Sequence, residues 1–175
     1  MSRRVLFDTN FLSWLFSDQS PMPFVADDPN DSLSSRMMHL LDTLDDDDTE
    51  IVIPSPVIAE ALCSSHVIIE QGLQIIRNQA MFRIIPFGQR MAEEYAHLFK
   101  NNNRTGNRNA FKFDLLILAT AKIENVDIIY SCDDGLREHG RMIGLTVTSA
   151  QELPKPRLPA QGTLSLTPPP NAPLH

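Results

Sequence analysis

The stretch Arg4-Val5-Leu6-Phe7-Asp8-Thr9-Asn10 runs on directly into Phe11-Leu12-Ser13-Trp14-Leu15-Phe16. Three consecutive apolar residues read as a short buried strand, Asp-Thr-Asn as a polar turn, and the following apolar run as the first turns of a helix. The same alternation recurs outward along the chain. Strands are predicted at Ile51–Ile53, Arg83–Ile85, Asp127–Tyr130 and Leu145–Val147. Helices are predicted through Met37–Leu44, Val57–Leu62, Ile68–Ile76, Met91–Phe99, Phe111–Ile123 and Leu136–Met142. Pro54-Ser55-Pro56 reads as a helix start, with Ser55 as the cap and Pro56 in the first position. Residues 18–35, with three prolines and several Asp and Ser, read as a loop. Strands alternating with helices predict an α/β fold in which a parallel sheet is covered on both faces.

At 175 residues the chain suits one compact domain, placed at 1–153, and a tail. The tail, 154–175, holds seven of the 13 prolines and reads as extended or disordered. Two cysteines exclude a disulfide scaffold and a four-thiolate zinc site. They read as small buried apolar residues. No apolar run reaches the roughly 18–20 residues of a membrane helix, and Met1-Ser2-Arg3-Arg4 does not read as a signal peptide. A soluble, cytoplasmic protein is expected.

The net charge of −7 argues against a nucleic-acid partner only until its distribution is considered. Nine acids against one base, Arg36, fall in residues 27–50, an acidic insertion that extends over about 18–50. The remainder is close to neutral. Lys100, Arg104, Arg108 and Lys112 lie in a stretch of 13 residues without an acid, and a polar loop is expected over Asn101–Ala110. Asp45–Asp48 read as a solvated helix end. As a flexible run it would compete for the basic loop.

Four carboxylates interrupt apolar surroundings at element ends. Asp8 follows the first strand, Glu60 lies in the helix after the second, Asp114 opens the helix Phe111–Ile123, and Asp133 follows the strand that ends at Tyr130. In a parallel sheet these places share the carboxyl edge, where such folds put their sites. Carboxylates brought within a few ångströms of one another need a cation to stay ionised. Oxygen-only donors select hard divalent ions, Mg²⁺ or Mn²⁺, which activate water and clamp the oxygens of an in-line phosphoryl displacement. Metal-dependent phosphodiester cleavage is the chemistry this pattern suggests.

Four motifs in order carry a resemblance to a known family. Val5-Leu6-Phe7-Asp8-Thr9-Asn10, Pro54-Ser55-Pro56-Val57-Ile58-Ala59-Glu60, Asp114-Leu115-Leu116-Ile117-Leu118-Ala119-Thr120-Ala121 and Ser131-Cys132-Asp133-Asp134-Gly135-Leu136 resemble those of PIN-domain proteins. The likeness is greatest to the VapC-type toxin ribonucleases of bacterial toxin–antitoxin pairs and covers about residues 4–152. It implies a three-layer α/β/α sandwich on a mostly parallel sheet of about five strands. It also implies an endoribonuclease that leaves a 5′-phosphate and a 3′-hydroxyl, with an RNA substrate, an antitoxin partner and a homodimer. Asp8, Glu60, Asp114 and Asp133 would be the catalytic and metal-binding groups. Ser131 stands where the family has Thr, which keeps the hydroxyl. Asp134 beside Asp133 leaves the fourth acid open by one residue, and spacing favours Asp133. Asn10, Ser131 and Asp134 are expected to orient carboxylates or a bound water.

Lys100, Arg104, Arg108 and Lys112 are expected to contact phosphates, because their loop leads into Asp114. The five histidines show no paired metal spacing and read as surface or packing residues. Two other classes are compatible with parts of the pattern. One is a PIN-fold module that binds RNA or protein without cutting. The other is a phosphatase of the haloacid-dehalogenase kind, disfavoured because Asp8-Thr9-Asn10 lacks the second Asp such enzymes use.

Overall fold

A computed structural model describes residues 3–16, 22–64, 66–101 and 108–156. Five strands, β1 (Arg4–Phe7), β2 (Glu50–Pro54), β3 (Phe82–Ile85), β4 (Ile128–Tyr130) and β5 (Thr146–Thr148), form one sheet in the order β3-β2-β1-β4-β5. Every pairing is parallel, and Leu6 of β1 lies between Val52 and Ile129. Seven helices connect the strands: α1 (Thr9–Phe16), α2 (Leu33–Asp46), α3 (Ser55–Ser64), α4 (His66–Arg77), α5 (Gln89–Asn101), α6 (Arg108–Ile123) and α7 (Asp134–Met142). The chain steps from β1 outward to β3, then returns past β1 to β4 and β5. Right-handed crossovers therefore put the helices after β1 and β2 on one face and those after β3 and β4 on the other. The result is the expected three-layer sandwich.

Central strands are fully apolar because both faces are covered. Val5, Leu6, Phe7, Ile51, Val52, Ile53 and Ile129 are all completely buried. Phe7, Phe11 and Tyr130 pack in a triangle with ring centroids 5.5–5.6 Å apart, which ties β1, α1 and β4 together directly beneath Asp8. The amino edge of the sheet is held by neutralised charge. Arg4 donates to Glu50 at 2.7 Å and to Glu124 at 3.2 Å, and Arg83 also faces Glu50.

Several local expectations need correction. Residues 33–35 are helical rather than loop, because Ser32 caps α2 in a reciprocal box with Ser35. Pro54 completes β2 and Ser55 is already the first residue of α3, so Ser55 does not cap. Its hydroxyl instead accepts from the Phe87 amide at 3.0 Å, across to the segment after β3. Cys63 is exposed near the end of α3, and Cys132, in the loop after β4, is only partly buried against the core. Asp45–Asp48 are exposed at the end of α2, next to the start of β2, and so lie at the opposite edge of the sheet from Asp8. Among the described residues, no helix is long and apolar enough to cross a membrane.

Candidate functional site

The strand order reverses at β1. In open parallel sheets the crevice outside the carboxyl ends of strands at such a reversal is where ligands bind. Here those ends are Phe7 of β1 and Tyr130 of β4, and the chain leaves them as Asp8 and as Ser131-Cys132-Asp133. The Asp8 amide donates to the Tyr130 carbonyl at 3.1 Å, so the last ladder bond places its side chain at the reversal.

Asp8 is 6% exposed and accepts from the Ser131 hydroxyl at 2.6 Å. The same hydroxyl accepts from the Asp133 amide at 3.0 Å, so one serine sets both carboxylate-bearing segments. Asn10 does not reach a carboxylate. Its side-chain oxygen accepts from the Cys132 amide at 3.3 Å and so holds the loop between β4 and α7. Glu60, on the exposed side of α3, accepts from the hydroxyl of Thr9, the neighbour of Asp8.

Asp114 is buried in the first half of α6, and Asp133 caps α7 by accepting from the Leu136 amide at 2.9 Å. They meet at Gly135. A Cβ at that position would stand 3.0 Å from Asp133 Oδ1 and 3.4 Å from Asp114 Oδ2, so glycine lets α7 come close to both carboxylates. Asp134 is exposed as the first residue of α7 and takes no part in these contacts. Asp133 is exposed as well, but its Oδ1, the atom that caps α7, is also the one nearest Gly135.

The electrostatics follow from burial and crowding. Burial pushes the Asp8 carboxyl up to about 6, against the pull of the Ser131 and Thr9 hydrogen bonds, and the charges of Glu60 and Asp133 add to the rise. Asp114 is also raised, first by burial and then by Asp133 and Glu60, while its hydrogen bond to His139 works the other way. Among the described residues, none of Asp8, Asp114 and Asp133 has a Lys or Arg within salt-bridge distance. Glu50 and Glu124 at the amino edge do, each paired with Arg4.

Among the described residues, no three His, Cys, Asp or Glu side chains close on one point as a ready-made cage. Mg²⁺ does not ask for one, since it binds through one or two carboxylates and fills its other positions with water and phosphate. The all-oxygen donor set and the side-chain-free gap at Gly135, with a carboxylate oxygen on either side, fit such an ion.

His139 is the residue that sequence reasoning missed. It is 4% exposed, and its Nδ1 lies 2.9 Å from Asp114 Oδ2. The available signal was its place three residues after Leu136, on the inward face of the last predicted helix. The basic residues are less close to the acids than expected. Lys100 lies in the last turn of α5 and Arg108 begins α6, both exposed, while Lys112 is half-buried. Two residues of helix turn Lys112 roughly 160° around the axis from Asp114. Arg104 lies outside the described residues.

The molecule is thus an open parallel α/β sandwich with carboxylates gathered at its topological reversal. The PIN-domain model matches residues 5–142, and the chain belongs to that family. The fold is similar to that of VapBC2 from Rickettsia felis bound to a promoter DNA fragment (20% identity, TM-score 0.56, covering 83% of this chain and 98% of that one). It is also similar to Mycobacterium tuberculosis VapC20, a toxin that cleaves the sarcin–ricin loop (13% identity, TM-score 0.53, 78% and 95%). A third similar structure is DNA-bound VapBC from Salmonella typhimurium (15% identity, TM-score 0.53, 86% and 99%). No functionally curated protein matches the sequence.

Proposed function

We propose that this chain is a Mg²⁺- or Mn²⁺-dependent endoribonuclease that acts in the cytoplasm as the toxin of a toxin–antitoxin pair. The observation that carries the reading is the set Asp8, Asp114 and Asp133 at the β1/β4 reversal, with no Lys or Arg within salt-bridge distance among the described residues. A protein keeps such a set ionised by recruiting a cation. When bound, the ion supplies an activated water and charge neutralisation for an in-line displacement at phosphorus. Asp114 and Asp133 flank the gap at Gly135 and are placed to hold it. Asp8, steadied by Ser131, and Glu60, steadied by Thr9, complete the negative field in which it would sit. RNA is the favoured substrate because membership of the PIN family and likeness to toxins of the VapC kind both point there. An antitoxin and a homodimer are proposed on the same grounds. Lys100 and Arg108 are placed to contact phosphates at a distance from the scissile bond.

The test is single-turnover cleavage of a single-stranded RNA, with and without Mg²⁺, alongside a small phosphomonoester. Cleavage that needs the ion, leaves 5′-phosphate ends and disappears in Asp8→Asn and Asp114→Asn is expected. RNA that is bound but never cut would instead indicate a non-catalytic PIN module.

A further inference from the structure

His139 is a buried imidazole, and nothing in the proposed chemistry so far employs it. Its place follows from the helix it sits on. Asp133 caps α7, Gly135 leaves the gap beside the carboxylates, and His139 follows Gly135 by four residues, on the same face one turn on. The ring is held from the other side by Phe111, edge to face at 4.9 Å. Phe111 is three residues before Asp114 on α6, so imidazole and carboxylate are registered against one helix. An ionised carboxylate only accepts hydrogen bonds, so Nδ1 carries the hydrogen in the 2.9 Å contact with Asp114 Oδ2.

We infer that His139 is a positioning residue of the nuclease centre. Its Nδ1–H fixes the rotation of the Asp114 carboxylate and holds it facing Asp133 across the gap at Gly135, where the two can share a divalent ion. This rests on the proposed function. Ligating carboxylates are themselves commonly fixed by outer hydrogen bonds, and loss of such a partner costs about 10–100-fold in metal affinity or activity. A packing histidine would have no such effect. The contact with Asp114 and the shared face with Gly135 separate the two roles.

Two variants distinguish them. His139→Leu keeps bulk against Phe111 and removes the donor. His139→Asn keeps an N–H near the position of Nδ1. Mn²⁺ binding to the full chain, measured by calorimetry without RNA, should weaken about 10-fold in His139→Leu and return to within about 3-fold of wild type in His139→Asn. The kcat on single-stranded RNA should follow the same order, with KM unchanged. Equal Mn²⁺ affinity in His139→Leu and wild type would overturn the assignment, and so would equal loss in both variants. If His139→Leu does not fold, ring ¹H–¹⁵N spectra of the wild type decide: an Nδ1–H tautomer whose proton resonance moves on adding Mg²⁺ supports the role, and an Nε2–H tautomer removes it. Wild-type protein that neither binds Mn²⁺ nor cuts RNA would end the nuclease reading itself. Wild type that does both beside an unaffected His139→Leu would end only the role of His139.

Discussion

Asp8 shows at a single side chain how the site sets function against stability. Its folded-state carboxyl lies at about 6 against an ordinary 3.8. The folded protein therefore binds this proton more tightly than the unfolded chain does. Its contribution to stability is full below about pH 4 and is lost as pH rises through about 6. In metal-free protein at pH 7.5, Asp8→Asn should raise the unfolding free energy by an amount on the order of 1–3 kcal/mol, seen as a higher calorimetric midpoint, and the gain should vanish below about pH 4. Mn²⁺ should stabilise wild type and leave the variant unmoved. An unchanged midpoint at pH 7.5 in EDTA would refute the repulsion argument. The neighbouring acids differ in the same way. Asp133 faces Asp114 across Gly135 and Asp134 does not, so Asp133→Asn should weaken Mn²⁺ binding at least 10-fold and Asp134→Asn by less than about 3-fold. The reverse order in a titration would mean that the motif is read one residue out of place.

At the scale of elements, α6 serves two surfaces. Phe111, Asp114, Leu115 and Leu118 form its buried stripe, while Arg108 and Lys112 lie on another side of the helix. Under the proposed function, Lys100 and Arg108 would therefore act on RNA away from the scissile bond. Lys100→Ala and Arg108→Ala should each lower RNA affinity about equally for different sequences. Each should flatten the log–log salt dependence by about 0.7, measured with Ca²⁺ in place of Mg²⁺. An unaltered slope in the double variant would assign the corner to plain solvent exposure. The two ends of the β-strands form a second contrast between elements. Glu50 and Glu124 at the amino edge have Arg4, whereas Asp8, Asp114 and Asp133 have no Lys or Arg within salt-bridge distance among the described residues. Charge is neutralised where it supports the fold and left open where a ligand is expected.

For the whole molecule, the acidic insertion is tied to the end of the domain. Arg36 on the inner face of α2 is 3% exposed. It donates to Asp31 at 2.6 and 2.8 Å and to Asp27 at 2.8 Å, and it also reaches the carbonyls of Gln151 and Leu153 at 2.9 Å. Its guanidinium lies over Phe24, and Lys155 closes on Asp28 at 2.9 Å. The insertion's negative charge is thus partly consumed in fastening residues 24–36 to the segment after β5. The hydrogen bond from Arg36 holds the Asp31 carboxyl far below the usual range. Its contribution is therefore present above about pH 4 and lost as pH falls through the lowered value. Arg36→Met should lower the unfolding midpoint markedly at pH 7, with the gap from wild type closing toward pH 2. A gap that stays constant with pH would show that packing, not charge, makes the connection.

The order of elements, the parallel sheet and the acids that follow β1 and β4, Asp8 and Asp133, were legible in the sequence. Apolar runs at Val5–Phe7, Ile51–Ile53 and Ile128–Tyr130 can be buried on both faces only inside such a sheet, and an Asp directly after one must emerge at its edge. Local periodicity carries that information because it depends on neighbours within a turn or a strand. What it could not carry were contacts between segments far apart in the chain. The 2.9 Å meeting of His139 with Asp114, the approach of Gly135 to the Asp133 and Asp114 carboxylates, and the recruitment of Ser55 by Phe87 instead of a helix cap all belong here. So does the fastening of Arg36 to Gln151 and Leu153. Each depends on how closely two helices or loops approach once the sheet has formed. That distance is decided by packing in three dimensions, which no spacing along the chain encodes.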